Sequence, residues 1–471
     1  MSSSKTKVLF ICHNHPSVRP GGAEAYALEL YHGLSDSDEF EPIFLAKGGP
    51  PLSSVGSSHS GTFFSPMEGD DQQYLVFTDG YEFDWLFGTM TDKDFYTKHF
   101  RSFLLAHRPD IVHFQHTLHL GFDMIREVRN TLPHAPIVYT LHEFLPICHR
   151  QGQMVRTVND EELCTHASPR RCHECFPHIS PQTFHMRNRF IGAQFGLVDL
   201  FLAPSRFLLQ RYLDWGIPED KIRFEEYGRL PVALSPKLPA DDERKRLATR
   251  FAYFGQLTPF KGAHVLLEAV QLLTETWSSD APGTDLGTII SPGHNGESTA
   301  DSLTRSNLDV RIHGANLDLQ PGNYQNRFNA LVEATARHVT VMGRYRHTDL
   351  GRLMAQVDWV VVPSIWWENS PLVIQEAFLY GRPVICSDIG GMAEKVEDNV
   401  NGLHFRTGDP ASLAAVMSRA VNSPGLWQWL REGIPQIYPM SDHIESLASD
   451  YRRLLAGQRG GMVETRLDAH A

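Results

Sequence analysis

The chain has 471 residues, 42% of them hydrophobic, and a formal net charge of −12. This length allows two or three ordinary domains, and the acidic balance argues against a nucleic-acid-binding protein, which would carry a basic excess. No run of about 18 apolar residues occurs, and the N-terminus lacks the apolar core of a signal peptide. We therefore expect a cytoplasmic protein, with peripheral contact to the inner membrane surface left open.

The first half of the chain alternates short apolar runs with helical stretches. Strands are predicted at residues 7–12, 42–46, 110–115, 137–141 and 199–203, and a helix at 23–34. This alternation is typical of βαβ units in a parallel sheet. Residues 47–98 are rich in glycine, serine and aromatic residues, which predicts an irregular insertion or a mobile loop near the cleft.

The second half repeats the pattern after a proline-containing, charged linker near 228–245. Strands are predicted at residues 251–255, 309–313, 339–343, 359–363 and 383–387. Residues 278–308 are polar and glycine-rich, and we expect them at the surface. The predicted fold class is α/β, with two doubly wound Rossmann-like domains whose parallel sheets face an interdomain cleft. The predicted domains are residues 1–235 and 236–440, and residues 441–471 are predicted as a helix packing back on the N-terminal domain, then a flexible tail.

Two glutamates stand close together between a predicted strand and a predicted helix. Glu368 follows a short β-branched run, and Asn369, Ser370 and Pro371 are typical of the first positions of a helix. Glu376 lies just over one turn into that helix. A helix N-terminus offers free N–H groups and a positive dipole end, which suit a diphosphate, and carboxylates accept hydrogen bonds from sugar hydroxyls. The pattern therefore indicates a nucleotide-sugar site.

The segment 339–405 resembles the C-terminal half of the retaining glycosyltransferases of family 4, whose signature is Glu-x7-Glu. The matching elements are Pro363-Ser364, Glu368, the helix, Gly381-Arg-Pro-Val384, Gly390-Gly391 and Glu394. The resemblance extends over residues 7–455 and is strongest in the second domain. It implies the GT-B architecture and transfer of a sugar from a UDP- or GDP-linked donor to an acceptor hydroxyl. No divalent ion or other cofactor is expected for this catalysis.

The resemblance also implies roles for single residues. Lys261 would neutralise the leaving diphosphate, Glu368 would position the sugar, and His142 would contact the sugar near its 6-hydroxyl; these three are the predicted catalytic residues. The predicted donor-binding residues are Gly21, Gly22, Gln256, Arg344, Tyr345, Asn369, Ser370, Pro371, Leu372 and Glu376. Gln256 stands where the family has arginine, so a neutral donor replaces one expected cation. Glu376 would bind the ribose hydroxyls.

Other interpretations of these positions remain open. Lys261 could be a solvated lysine at a helix start, and Gly21-Gly22 could be a plain tight turn. Arg344 or Tyr345 would stack on the nucleobase, whereas the alternative is an ordinary surface loop.

A group of histidines follows the strand at 110–115. By the resemblance, His113 and His116 line the acceptor side. The alternative is a metal site that also includes His119, but the three would not share one helical face. Thr140-Leu-His-Glu143 matches the family's Thr-x-His-Asp element, with Glu143 in place of aspartate.

Four of the six cysteines fall in one segment, the cysteine loop of residues 148–180. They are Cys148, Cys164, Cys172 and Cys175. A Cys-x-x-Cys in an intracellular protein indicates zinc or redox chemistry, and four thiolates can hold a structural zinc ion. Two disulfides or free thiols are the alternatives.

The leading interpretation is a retaining glycosyltransferase, a hexosyltransferase of glycan or polysaccharide biosynthesis. A non-catalytic sugar-nucleotide-binding or scaffold protein is the alternative from another class, and a GT-B phosphorylase or epimerase is the alternative among enzymes. The acceptor is left open among a glycan, a lipid-linked glycan and a small molecule.

Overall fold

The computed structural model describes residues 5–19, 21–49, 63–78, 83–158, 162–230, 249–278 and 308–468. The chain divides into two compact units. Unit 1 comprises Met1–Pro231 with Tyr438–Ala471, and unit 2 comprises Val232–Ile437. Most of the predicted linker and of the predicted polar stretch at 278–308 lies outside the described residues.

Unit 1 contains an eight-stranded sheet and a separate short hairpin. The strands are β1 (Thr6–Cys12), β2 (Phe40–Gly49), β3 (Phe63–Met67), β4 (Asp70–Phe77), β5 (Phe83–Asp84), β6 (Thr89–Met90), β7 (Ile111–Phe114), β8 (Ile137–Thr140), β9 (Leu200–Ala203) and β10 (Ile222–Phe224). The sheet order is β10-β9-β8-β7-β1-β2-β4-β3, and β5 pairs with β6. All neighbours in the large sheet are parallel except β3 and β4. Residues of β1, β7 and β8 are almost wholly buried, as expected for a parallel sheet covered on both faces.

The region predicted to be an irregular insertion is partly regular, which corrects the expectation for residues 47–98. Its described residues contain β3, β4, β5 and β6, and β4 extends the main sheet by pairing with β2. Alternation along β4 is weak because its residues mix polar and aromatic side chains, so a period of two was hard to detect in the sequence.

The helices of unit 1 follow its strands. They are α1 (Gly22–Ser35), α2 (Arg101–His107), α3 (Asp123–Thr131), α4 (Pro169–Cys175), α5 (Pro181–Phe195) and α6 (Arg206–Trp215), with a π-helical turn (Phe95–Phe100) before α2. The C-terminal helix of the chain, α14 (Met440–Asp468), also belongs to this unit. Residue Arg229 is hydrogen-bonded to the chain that returns from unit 2, through Arg229 N to Tyr438 O (2.9 Å) and Met440 N to Arg229 O (2.9 Å).

Unit 2 is built on a six-stranded parallel sheet. Its strands are β11 (Arg250–Gln256), β12 (Asp309–Ala315), β13 (Val339–Gly343), β14 (Trp359–Val362), β15 (Val384–Ser387) and β16 (Gly402–Phe405), in the order β13-β12-β11-β14-β15-β16. The helices from here to the C-terminus are α7 (Ala263–Ser278), α8 (Gly322–Ala334), α9 (Leu350–Met354), α10 (Leu372–Leu379), α11 (Gly390–Lys395), α12 (Pro410–Asn422), α13 (Leu426–Glu432) and, in unit 1, α14 (Met440–Asp468).

Successive residues of the unit 2 strands enter two different hydrophobic cores. Phe251 and Trp359 belong to one core, whereas their neighbours Ala252 and Val360 belong to the other. This is the period of two expected when both faces of a sheet are covered. The predicted fold class, two Rossmann-like domains with parallel sheets, is confirmed. Among the described residues, no helix is both long and apolar enough to cross a membrane.

Candidate active site

The loops after β11 and β14, two neighbouring strands, are locked together in unit 2. Ile365 N donates to Phe260 O at 2.9 Å. Gly262 has a φ of +69°, and a Cβ there would overlap the carbonyl oxygen of Pro363. Only glycine satisfies both conditions without strain. This close approach places Lys261 of the first loop beside Glu368 of the second.

Three donors converge on one carboxylate oxygen, Glu368 Oε1. They are Ser364 Oγ (2.7 Å), Lys261 Nζ (2.6 Å) and Trp366 Nε1 (2.9 Å). Lys261 Nζ also lies 5.4 Å from the centre of the Trp366 ring. Burial by itself would raise the pKa of Glu368, but the Lys261 charge and these hydrogen bonds lower it below its ordinary value. Glu368 is therefore an ionised, fixed acceptor at neutral pH.

Helix α10 begins directly after this carboxylate. Gly391 N donates to Glu368 O at 2.8 Å, and a Cβ on Gly391 would overlap the Asn369 carbonyl, so the Gly-Gly turn packs against the start of the helix. The helix begins at Leu372 with Pro371 as its N-cap, one residue later than predicted. Ser370 is 7% exposed, and its Oγ has no hydrogen-bond partner among the described groups. An unused donor beside free helix N–H groups suits an anion.

Glu376 and the loop after β13 carry the predicted nucleoside-binding residues. Glu376 is 8% exposed and lies 3.7 Å from the ring of His347. Tyr345 is half-buried, with its ring perpendicular to that of Phe254 at 5.5 Å. Arg344 is exposed. These positions agree with a nucleoside site, which stays a prediction. Gln256, at the end of β11, is exposed, so its side chain is available to a ligand.

A second polar cluster, which the sequence did not predict, lies at the carboxyl ends of the unit 1 strands. His13 Nε2 is 3.0 Å from Glu24 Oε1, the His13 and His116 rings lie 4.1 Å apart, and His116 Nε2 is 3.5 Å from Glu143 Oε1. Burial raises the pKa of Glu143 to about 8. The sequence motifs included His116 and Glu143 but not His13 and Glu24, which lie just after β1 and in the first turn of α1.

Two predicted site residues of unit 1, His113 and His142, have surroundings that limit what they can contact. His113 is fully buried, and its ring is hydrogen-bonded to Tyr451 and Thr140 at 2.7 Å each, so it has no exposed surface to offer an acceptor. His142 is half-buried, with ring contacts to Tyr227 (2.6 Å) and Gln115 (3.0 Å), and burial lowers its pKa to about 3.

The Gly21-Gly22 loop begins α1, but a carboxylate of the same helix already lies at that helix end. A Cβ on Gly21 would overlap the carboxylate of Glu24. Burial would raise the pKa of Glu24, yet its contacts with His13 lower it, so the carboxylate is charged. A negative charge over the helix N-terminus disfavours a phosphate there and suits a hydroxyl.

Residues within the cysteine loop are bonded to one another. Val155 pairs with Leu163, and Thr157 Oγ1 donates to Cys175 O. None of the six cysteines is part of a disulfide bond, so the disulfide alternative does not hold in this structure. Within the described ranges, no group of three or more His, Cys, Asp or Glu is arranged to hold a metal ion. The zinc site at Cys148, Cys164, Cys172 and Cys175 therefore stays a prediction.

Comparison with known families matches both parts of the chain. Residues 20–224 match the family Glycosyltransferase Family 4, and residues 240–434 match Glycosyl transferases group 1. The chain belongs to the GT-B glycosyltransferases. Among curated relatives, the D-inositol 3-phosphate glycosyltransferase of Mycolicibacterium vanbaalenii is 28% identical over 210 residues, which cover 44% of this chain and 41% of that protein. The match thus spans less than half of that relative.

Solved structures show the same fold over nearly the whole chain of this glycosyltransferase. Sucrose-phosphate synthase from Thermosynechococcus elongatus superposes with a TM-score of 0.66 at 17% identity, covering 96% of this chain and all of that one (100%). Anabaena Alr3699/HepE, solved in complex with UDP and glucose, gives 0.59 at 15% identity, covering 95% and 100%. At these identities the likeness concerns the fold alone.

Proposed function

We propose that the protein is a retaining glycosyltransferase that moves a hexose from a nucleotide-diphosphate sugar to an acceptor hydroxyl. The observation that carries this proposal is the convergence of Lys261, Ser364 and Trp366 on Glu368 at the start of α10. It sets a cation, a fixed carboxylate and free helix N–H groups side by side. A nucleotide sugar needs all three, because it carries a diphosphate next to a hydroxylated ring.

In this mechanism the charges that grow during bond breaking meet groups already in place. The departing phosphate gains negative charge, which Lys261, the unpartnered Ser370 hydroxyl and the amides at the start of α10 would stabilise. The sugar gains positive charge at its anomeric carbon, which favours a nearby carboxylate. Glu368 Oε1 is used by its three donors, so Oε2 is the oxygen we assign to a sugar hydroxyl. Gln256 would add a neutral hydrogen bond to the phosphate.

The nucleoside would lie at the other end of this site. Glu376 would accept hydrogen bonds from the ribose hydroxyls, and Tyr345 or Arg344 would contact the base. We propose UDP as the nucleotide, because HepE, which shares the fold, was solved with UDP. In unit 1, the charged Glu24 beside Gly21 would accept a hydrogen bond from a hydroxyl rather than bind a phosphate. Retention of configuration is proposed from the Glu-x7-Glu spacing of Glu368 and Glu376.

Thermal unfolding with nucleotides tests the proposal first. UDP at about 100 times its dissociation constant should add about 2.7 kcal/mol to the free energy of unfolding, and GDP and ADP serve as comparisons. UDP-glucose should then be cleaved slowly by water, and Glu368→Gln should abolish that cleavage. NMR of the released sugar would give its anomeric configuration. Absence of stabilisation by all three nucleotides, together with no cleavage, would refute the proposal.

A further inference from the structure

An exposed tryptophan is held rigidly at the tip of the β5-β6 hairpin in unit 1. Trp85 is 42% exposed, although large aromatic side chains are mostly covered in folded proteins. Its ring is perpendicular to those of Phe83 (5.4 Å) and His119 (5.1 Å). Asp84 Oδ1 accepts hydrogen bonds from Leu86 N (2.8 Å) and Phe87 N (3.1 Å), which fixes the turn that follows the ring.

The hairpin is fastened to the loop after β7, which carries His119. Phe122 N donates to Gly88 O at 2.8 Å. Tyr96 ties the same two segments, because its hydroxyl accepts from Met90 N (2.8 Å) and donates to Leu120 O (2.9 Å). The exposed indole is therefore a preorganised surface rather than a loose side chain.

Two imidazoles beside this indole have ring nitrogens without partners. Nδ1 of His119 and Nδ1 of His149 are buried, and neither has a hydrogen-bond partner among the described groups. The backbone of Trp85 and the carboxylate of Asp84 both act to raise the pKa of His149, so the loop after β8 belongs to the same cluster. His119 has a φ of +60°, a conformation uncommon for histidine, and such strain tends to persist at binding sites. Burial lowers the pKa of each histidine to about 4, so both rings are neutral at pH 7.

We infer that Trp85, His119 and His149 form an acceptor subsite that binds a pyranose ring. A pyranose has an apolar C–H face and a rim of hydroxyls. The exposed indole can pack on that face, and a neutral imidazole can donate to or accept from a hydroxyl. His119 lies three residues after His116, in the same loop as the polar cluster of unit 1. The inference rests on the proposed function, since it takes the acceptor to be a glycan.

Fluorine NMR of protein labelled with 5-fluorotryptophan tests this directly. The chain has 8 tryptophans, and the Trp85 resonance is assigned with Trp85→Phe. The probes are the methyl α-glycosides of glucose, galactose and mannose. Trp429, which is 65% exposed on α13, is the matched control. At least one glycoside should shift the Trp85 resonance saturably and leave that of Trp429 unchanged. No saturable shift with any of the three, or an equal shift at Trp429, would overturn the inference.

Variants separate glycoside binding from the reaction of the donor. Trp85→Ala should weaken glycoside binding about tenfold, whereas Trp85→Phe, which keeps an aromatic face, should lose less. His119→Ala should also weaken binding, and Trp429→Ala should not. Cleavage of UDP-glucose by water should be unchanged in Trp85→Ala. If UDP stabilises the protein but no glycoside binds, only this inference fails. If glycosides bind at Trp85 but no nucleotide binds, the proposed function fails and the acceptor role with it.

Discussion

Replacing Lys261 by methionine would leave a buried carboxylate without its cation. Methionine is similar in length to lysine and can still pack on the Trp366 ring, but it donates no hydrogen bond. A hydrogen bond to a charged group is worth about 1.5–3 kcal/mol. The Glu368 side chain is 8% exposed but that of Lys261 is 30% exposed, so solvent screening places the expected loss at the lower end of that range. Ser364 and Trp366 would still donate to Glu368.

The loss of stability should depend on pH in a definite direction. In the native protein the pKa of Glu368 is lowered, so its contribution to stability is present above the unfolded pKa and is lost as the pH falls through the folded one. Without Lys261, burial becomes the larger influence and raises that pKa. The deficit of Lys261→Met relative to the native protein should therefore grow as the pH rises from the lowered pKa of native Glu368 to the raised pKa of Glu368 in the variant, and stay constant above both.

A double-mutant cycle with Glu368→Gln measures the coupling of the two side chains. Urea unfolding of the two single variants and the double variant gives the coupling free energy between Lys261 and Glu368. The stability changes of independent sites add to within about 0.3–0.5 kcal/mol, and we expect a coupling well above that. Turnover of UDP-glucose by Lys261→Met should fall about 10²-fold or more, because the lysine meets charge that appears in the transition state. Additive stabilities, or an unchanged turnover with only KM raised, would refute this reasoning.

Three further outcomes are expected. Glu376→Gln should weaken UDP binding, by about 1.5–3 kcal/mol in calorimetry, with turnover at saturation little changed; normal affinity would rule out the ribose contact. Gly262→Ala should lower the melting temperature and the turnover together, because a Cβ there overlaps Pro363, whereas Gly322→Ala, where a Cβ meets nothing within 4 Å, is the matched control. Protein purified under reducing conditions should contain about one zinc per chain in the cysteine loop if those thiolates bind it; metal analysis without zinc would end that prediction.

Much of the fold could be read from the sequence because parallel strands are short, apolar and separated by helices. Strands β1, β8, β11, β13 and β14 begin and end within two residues of their predicted positions. The local neighbourhoods of Glu368 and Lys261 were predicted as well. Their direct contact was not, because it depends on Gly262 packing against the neighbouring strand's loop, and no local pattern encodes that approach.

The histidines show that the spacing of residues in the sequence does not predict which way their side chains point. His113 was predicted to line the acceptor side, yet the strand register turns its side chain to the interior, where Tyr451 bonds to it. The sequence position of a residue near a strand end does not tell which face the side chain takes unless the register is known. The pairing of His13 with Glu24 was missed because it depends on how α1 packs after β1.

Unit 1 is completed only after the chain has passed through unit 2. The departing segment at Arg229 and the returning segment at Tyr438 and Met440 are hydrogen-bonded neighbours. Unit 2 is therefore an insertion whose two ends attach at a single point of its host. Such a connection allows the inserted unit to be exchanged as a cassette between relatives by two splices, with every other loop of unit 1 left intact. Under the proposed function, donor choice and acceptor choice would then change independently in evolution.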